Sequence, residues 1–244
     1  MNTSLWPSGV MSRQEEVLVL YGSQTGNSEQ AAIEISEKIP SKLSINEVTV
    51  SSRHMQLDDF IEIERAKWPR LVVIVTSSYG VGQAPLGCYK FRELCDTISS
   101  GGKDAYGGVL DGLTYAMLGL GDSKFTTFFH NPTAIDKALT LSGAERVGTL
   151  GNADASGEGD DEQQKVISNW VDGIWTELER VIERKPVSDE KMEEMHLKTV
   201  GICESIFEDS KAPREGGGFS ALLLICVPIL IAVIVAALKG VLFT

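Results

Sequence analysis

Two apolar runs, Val17–Leu20 and Leu71–Thr76, are continuous rather than alternating. Runs of this length and type predict strands covered on both faces. Elsewhere the apolar positions recur at helical spacing. Ala32, Ile35 and Ile39 predict a helix over 29–39 that Pro40 stops. Leu57, Phe60 and Ile61 predict a helix over 58–65, and Tyr89, Phe91, Leu94 and Ile98 predict another, ahead of a glycine-rich, loop-like stretch at 99–112. A fourth helix is predicted at 134–141, ended by Gly143. Val166, Ile167, Trp170, Ile174, Leu178 and Val181 give a long amphipathic helix over 163–182. A weaker strand pattern at 45–50, a further strand at 113–118 and a short last strand at 146–150 complete the series. Strands alternating with helices predict an α/β fold. The count suits a doubly wound, five-stranded parallel sheet in the order 2-1-3-4-5, with helices on both faces.

In such a sheet the loops that follow strands gather at its carboxyl edge. The unusual loops 23–28, 77–84, 119–131 and 151–155 all follow strands, which predicts one composite site. The first holds Ser23, Gln24, Thr25, Gly26, Asn27 and Ser28: three hydroxyls, two amides and successive backbone N–H groups where a helix begins. That is a natural seat for an anion. It contains no Lys or Arg, and Asn27 follows Gly26 where a nucleotide-hydrolysing loop would place lysine. A phosphate held by neutral donors is expected there, and triphosphate hydrolysis is not. The plainer alternative is an ordinary strand-to-helix turn capped by Asn27 or Ser28.

The two ends of the chain differ from its middle. Residues 219–238 are uncharged and apolar over the roughly 20 residues that a membrane-spanning helix needs. Pro228 within them is tolerable in such a helix. With only 239–244 beyond, as a short distal tail, the pattern predicts a tail anchor that leaves the bulk of the chain in the cytosol. Residues 185–218 are charged and irregular and are read as a tether; residues 1–15 are read as a flexible leader, without the apolar core of a signal peptide. The folded domain is then 16–184.

Charge and chemistry narrow the function classes. The formal net charge of −12 makes nucleic acid a poor partner. Four cysteines show neither metal-ligand spacing nor a disulfide framework, which fits a reducing compartment. His54, His130 and His196 are isolated and read as solvated or packing residues, so no metal site and no catalytic side chain is assigned. Glu158, Asp160, Asp161 and Glu162 form an acidic cluster. It reads equally as a docking patch for a basic partner and as charge compensation at a helix N-terminus.

The motifs SQTGNSEQAA, TSSYGVGQAP, LGLGDSKFTTF and LGNAD, in that order, resemble the FMN-binding, flavodoxin-like domain of the diflavin reductases. The methionine synthase reductase branch is the nearest in pattern, and the resemblance covers about 16–182. It implies that Ser23–Ser28 hold the FMN phosphate. It implies that Ser78, Tyr79, Gly80, Val81 and Gly82 lie beside the isoalloxazine, with Tyr79 on one face of the ring and Phe125 on the other. Gly80 matches a glycine whose carbonyl can turn toward the flavin, a rotation that the missing Cβ permits. Leu120, Gly121, Asp122, Phe128 and Asp154 complete the implied site. The chain departs from the family at Val81 and Gln83, which replace acids, at Phe125, which replaces a tyrosine, and at Phe129, where asparagine is common. On this reading a tether and a membrane span are expected where the family has its NADPH–FAD domain. The implied function is a membrane-tethered FMN electron carrier. Its donor in trans would be an NADPH-dependent flavoprotein reductase, and its acceptor a haem or iron–sulfur protein. An anchored scaffold with a vestigial fold and an FMN-dependent quinone reductase are the alternatives. The endoplasmic reticulum is the favoured membrane, with the mitochondrial outer membrane as the other choice.

Overall fold

The computed structural model describes residues 13–43, 45, 47–186 and 193. Strands β1 (Arg13–Gly22), β2 (Val48–Gln56), β3 (Leu71–Ser77), β4 (Thr114–Gly121), β5 (Glu145–Arg146) and β6 (Gly151–Asp154) form one sheet. Its order is β2-β1-β3-β4-β5, with β6 also paired to β4, and every pairing between these strands is parallel. The predicted doubly wound order is therefore present. Helices α1 (Asn27–Lys42), α2 (Leu57–Phe60), α3 (Tyr89–Tyr106), α4 (His130–Leu141) and α5 (Gln163–Glu183) cover it.

The continuous apolar runs are explained by two cores. Leu18, Leu20, Val72, Ile74, Tyr115 and Met117 turn to the face covered by α2, α3 and α4. Val17, Val19, Leu71, Val73, Ala116 and Leu118 turn to the face covered by α1 and α5. Alternate side chains meet opposite helical layers, so neither parity of the strand can be polar.

Several boundaries differ from expectation. β1 begins at Arg13, so 13–15 belong to the sheet rather than to a leader. α1 runs through Pro40 to Lys42; a proline in the last turn removes only one hydrogen bond, close to where the ladder ends anyway. β2 lies later than predicted because it is an edge strand with polar side chains. Ser52 donates to the Val17 carbonyl at 2.9 Å and Arg53 pairs with Glu16 at 2.9 Å. The helix predicted over 58–65 shrinks to α2 and a 3-10 turn at Arg65–Lys67. α3 continues past Ile98 to Tyr106, with a break at Gly102. α4 starts four residues early, at His130. The last strand is split. From Arg146 to Gly151 the edge advances five positions while β4 advances three, from Tyr115 to Leu118. The two extra residues form a bulge, and 151–154 is strand rather than loop. Among the described residues no helix is long and apolar enough to cross a membrane. The tether, anchor and distal tail expected at 185–244 lie outside the described residues, apart from Lys185, Pro186 and Glu193.

Candidate functional site

Because every strand runs the same way, the loops after β1, β3, β4 and β6 meet at the carboxyl edge. The loop after β1 is pinned at both ends. The Ser23 hydroxyl accepts the Gly26 N–H at 3.0 Å, and the Ser23 N–H donates to the Leu86 carbonyl at 3.0 Å. Gly26 is the residue before α1 and has φ +94, a left-handed conformation that a side chain would strain. No side chain caps α1, against the plainer expectation of an Asn27 or Ser28 cap. Its first-turn N–H groups are left for an anion.

The loop after β3 folds into a tight turn over 79–83. Tyr79 N–H donates to the Gln83 carbonyl at 3.1 Å, and Gln83 N–H returns to the Tyr79 carbonyl at 2.8 Å. Val81 stands at the tip, 77% exposed. The loop after β4 carries Phe125, whose N–H donates to the Asp122 carbonyl at 3.1 Å.

These two loops are stitched together. The Thr127 hydroxyl donates to the Gly80 carbonyl at 3.2 Å, and the His130 Nδ1 lies 3.1 Å from the Gly82 carbonyl. Asn131 is fully buried. Its backbone N–H donates to the Ser78 hydroxyl at 2.9 Å, and its side-chain amide donates to the Ser77 carbonyl at 3.0 Å. Arg92 of α3 donates in turn to the Asn131 amide oxygen at 3.0 Å.

The loops enclose a cleft of about 390 Å³, within the range of small-molecule sites. Of the residues predicted from sequence, Gln24, Thr25, Asn27, Ser28, Ser78, Tyr79, Gly80, Leu120, Gly121, Asp122, Phe125 and Phe128 line it. Ser23, Gly26, Val81, Gly82 and Asp154 do not. Ser23 and Gly26 shape the first loop, while Val81 and Gly82 shape the turn over 79–83. The Asp154 carboxylate accepts the N–H groups of Ser123 and Ser156, both at 2.9 Å, and so ties the β4 loop to the β6 loop. Its side chain faces a smaller recess with Phe128 and Glu158. Burial alone would raise the Asp154 pKa, but the hydrogen bonds from Ser123 and Ser156 win and hold it below the ordinary value. Asp122 is likewise lowered, first by the Ser156 hydroxyl at 2.5 Å and then by the Lys124 N–H.

Sequence reasoning missed Ser77, Thr127, Ala155 and Gln163 in the lining. It also missed the roles of His130, Asn131 and Arg92, none of which carries a motif of its own.

The Flavodoxin family model matches residues 19–170, more than half of the chain. The chain belongs to the flavodoxin family. A mitochondrial pyruvate dehydrogenase [NADP(+)] of Euglena gracilis is 33% identical over 174 residues, 70% of this chain and 8% of that protein. NADPH–cytochrome P450 reductase of Saccharomyces cerevisiae is 31% identical over 166 residues, 68% of this chain and 22% of that protein. Methionine synthase reductase of Caenorhabditis elegans is 33% identical over 139 residues, 57% of this chain and 19% of that protein. The chain thus spans less than a quarter of the length of each of these relatives. A solved cysteine-to-serine mutant of flavodoxin from Pseudomonas aeruginosa shares the fold, with a TM-score of 0.50 at 21% identity, over 67% of this chain and 98% of that one.

Membership of this family implies FMN as cofactor, and the cleft fits it on two counts. The uncapped α1 N-terminus lies among neutral donors and suits a phosphate. The Gln24 side-chain oxygen is buried without a partner, and an orphaned acceptor in that position suits a hydroxyl of the ribityl chain.

Proposed function

We propose that this protein is a membrane-tethered electron carrier that passes single electrons from a separate NADPH-dependent flavoprotein to a haem or iron–sulfur protein. The observation that carries the reading is the cleft. It joins an uncapped helix N-terminus without cations to two stitched loops that present Tyr79 and Phe125. Bound FMN supplies the reversible uptake and release of electrons. The residues supply the rest. Thr25, Asn27 and Ser28 would hold the phosphate through hydroxyl, amide and backbone N–H donors, on a loop shaped by Ser23 and Gly26. Tyr79 and Phe125 both line the cleft and would pack against the ring, which disfavours a substrate stacking on it. Asp122 and Asp154 hold the β4 and β6 loops against the same cleft. Together these features favour electron exchange at an exposed ring edge over chemistry on a bound substrate.

The tethering half of the reading rests on sequence. In this reading residues 219–238 are the anchor, 185–218 the tether and 13–184 the cytosolic domain, with the endoplasmic reticulum as the favoured membrane. Microscopy of a fusion carrying residues 185–244 tests the membrane; a diffuse signal refutes the anchor. The redox half is tested on the purified full chain in detergent. Titration with FMN should quench flavin fluorescence at one equivalent, and stepwise reduction should proceed in one-electron stages. A chain that stays colourless in excess FMN refutes the carrier and leaves an anchored scaffold. Direct oxidation of NADPH by the isolated protein would favour a quinone reductase instead.

A further inference from the structure

Because the strands are parallel, their starts lie at the edge opposite the cleft. A second cavity, of about 450 Å³, lies there, among the strand starts and the end of α5. Six charged side chains line it: Arg13 and Glu15 of β1, Arg70 just before β3, Glu145 of β5, and Arg184 and Lys185 just after α5. That is four cations over two carboxylates, in a chain whose net charge is −12. Glu16, Asp111 and Glu183, each adjacent in sequence to a lining residue, do not line it. β1 runs 10 residues from this cavity toward the cleft, so the two lie about 30 Å apart.

The partners of these cations do not cancel their charge. The Glu15 carboxylate is shared by two guanidiniums. Arg70 donates to both of its oxygens, at 3.1 and 3.0 Å, and the Arg13 Nε lies 3.1 Å away without a hydrogen bond to it. Arg13 and Arg70 also donate to the Ile182 carbonyl, in the last turn of α5. A neutral carbonyl orients a guanidinium but leaves its charge in place. The Arg184 Nη1 donates to both Glu145 oxygens, at 2.8 and 2.9 Å. Lys185 makes no ion pair among the described residues. Four cations less two carboxylates leave two positive charges. Trp68 and Val181, both buried, line the same cavity, and low-dielectric walls concentrate such a field.

We propose that this cavity binds a phosphate monoester, carried on a lipid headgroup or on a free small molecule. Such a group bears about two negative charges at neutral pH, which matches the surplus. Its oxygens accept from planar guanidiniums two at a time. Arg13 and Lys185 supply the unmatched charge; Arg70 and Arg184 hold the carboxylates that would otherwise cancel it. The site does not depend on the electron-carrier reading. Pro186, from which the chain continues, also lines the cavity, so a headgroup held here would seat the domain with its cleft turned away from the lipid.

The test titrates inorganic phosphate calorimetrically into the full chain in neutral detergent micelles, loaded with one equivalent of FMN so that the α1 loop is filled. One equivalent of phosphate should be taken up, with a Kd below about 1 mM. Lys185→Gln should weaken this uptake about threefold, and Glu145→Gln, which removes a competing carboxylate, should strengthen it about threefold. A merely structural ion cluster gives no such opposite pair of responses. Doping the micelles with phosphatidylinositol 4-phosphate identifies the source. If the ligand is a headgroup, the doped lipid suppresses uptake of free phosphate by about tenfold or more, while plain phosphatidylinositol does not. If it is a free molecule, neither lipid changes the uptake. The proposal is overturned by no uptake at all, as when Asp189 and Glu190 of the chain itself fill the cavity, or by uptake indifferent to both substitutions. A chain that takes up no FMN sinks the electron-carrier reading alone, since the opposite responses at 145 and 185 still decide this site.

Discussion

The Thr127 hydroxyl donates to the carbonyl of Gly80 at 3.2 Å, across 47 positions of sequence. It is the outermost of four contacts joining the Tyr79 loop to the Phe125 loop, and Asn131 is the innermost. The walls of the cleft are thus set against each other by the protein itself. Depth decides how much each contact matters. Removing the exposed Thr127 bond, as Thr127→Val, should cost no more than about 1 kcal/mol. Asn131→Leu strips the donor from a buried carbonyl and the acceptor from Arg92, which should cost about 2–3 kcal/mol. It should also weaken FMN binding about tenfold, because the Tyr79 wall is no longer fixed. Urea denaturation and fluorescence titration read the two effects. Equal losses in both variants would show that burial is not what matters.

The phosphate loop allows a cleaner separation of strain from contact. A Cβ at Gly26 meets no protein atom within 4 Å, so Gly26→Ala acts through its left-handed backbone alone. About 1–2 kcal/mol is expected. Ser23→Ala deletes the acceptor of the Gly26 N–H and should cost about 1 kcal/mol. Both changes leave the cleft walls untouched, so both should slow FMN capture without altering the absorbance of whatever FMN binds. Stopped-flow mixing checks this; a shifted spectrum in either variant would place the loop against the ring instead.

Acid should open the site through Asp122 and Asp154. Both folded-state pKa values are lowered, by hydrogen bonds to Ser156, Lys124 and Ser123. A lowered carboxyl contributes order that is fully present above the ordinary value, about 4, and is lost as the pH falls through the lower folded value. FMN should therefore stay bound at neutral pH and be released below about pH 4. Asp154→Asn keeps an acceptor but removes the charge. It should flatten the acid release seen by flavin fluorescence and weaken binding at pH 7. An unchanged profile would assign the release to other groups.

How far the sequence reveals this depends on the range of each interaction. β1 and β3 are legible because burial on both faces leaves a continuous apolar run. β2 is displaced because an edge strand needs no such run, and Ser52 and Arg53 take its place. The bulge between β5 and β6 has no compositional mark, so 151–154 reads as loop. The first loop is legible because its residue types are its chemistry. The Arg92–Asn131 contact joins residues 39 positions apart, and neither residue is unusual where it stands. Asp154 lies near its expected position, but its partners Ser123 and Ser156 appear only once β4 and β6 are paired.

The last relationship couples a strained residue to a missing side chain. Phe129 has φ 63, a conformation that costs a bulky residue about 1–3 kcal/mol. Its ring lies where a Cβ on Gly119 would be, 2.4 Å away, with Pro132 at 2.8 Å. The strain at Phe129 is offset by packing over a glycine, so neither residue can be changed alone without loss. Gly119→Ala drives a methyl into the ring and should cost about 1–3 kcal/mol. Phe129→Asn relieves the backbone, since asparagine tolerates this conformation, but empties the space above Gly119. Together the two changes should cost less than their sum, because the smaller side chain admits the methyl. A coupling of about 1 kcal/mol in a double-mutant cycle is expected. Strict additivity in denaturant unfolding would mean that the ring moves aside freely and that the left-handed turn has some other support.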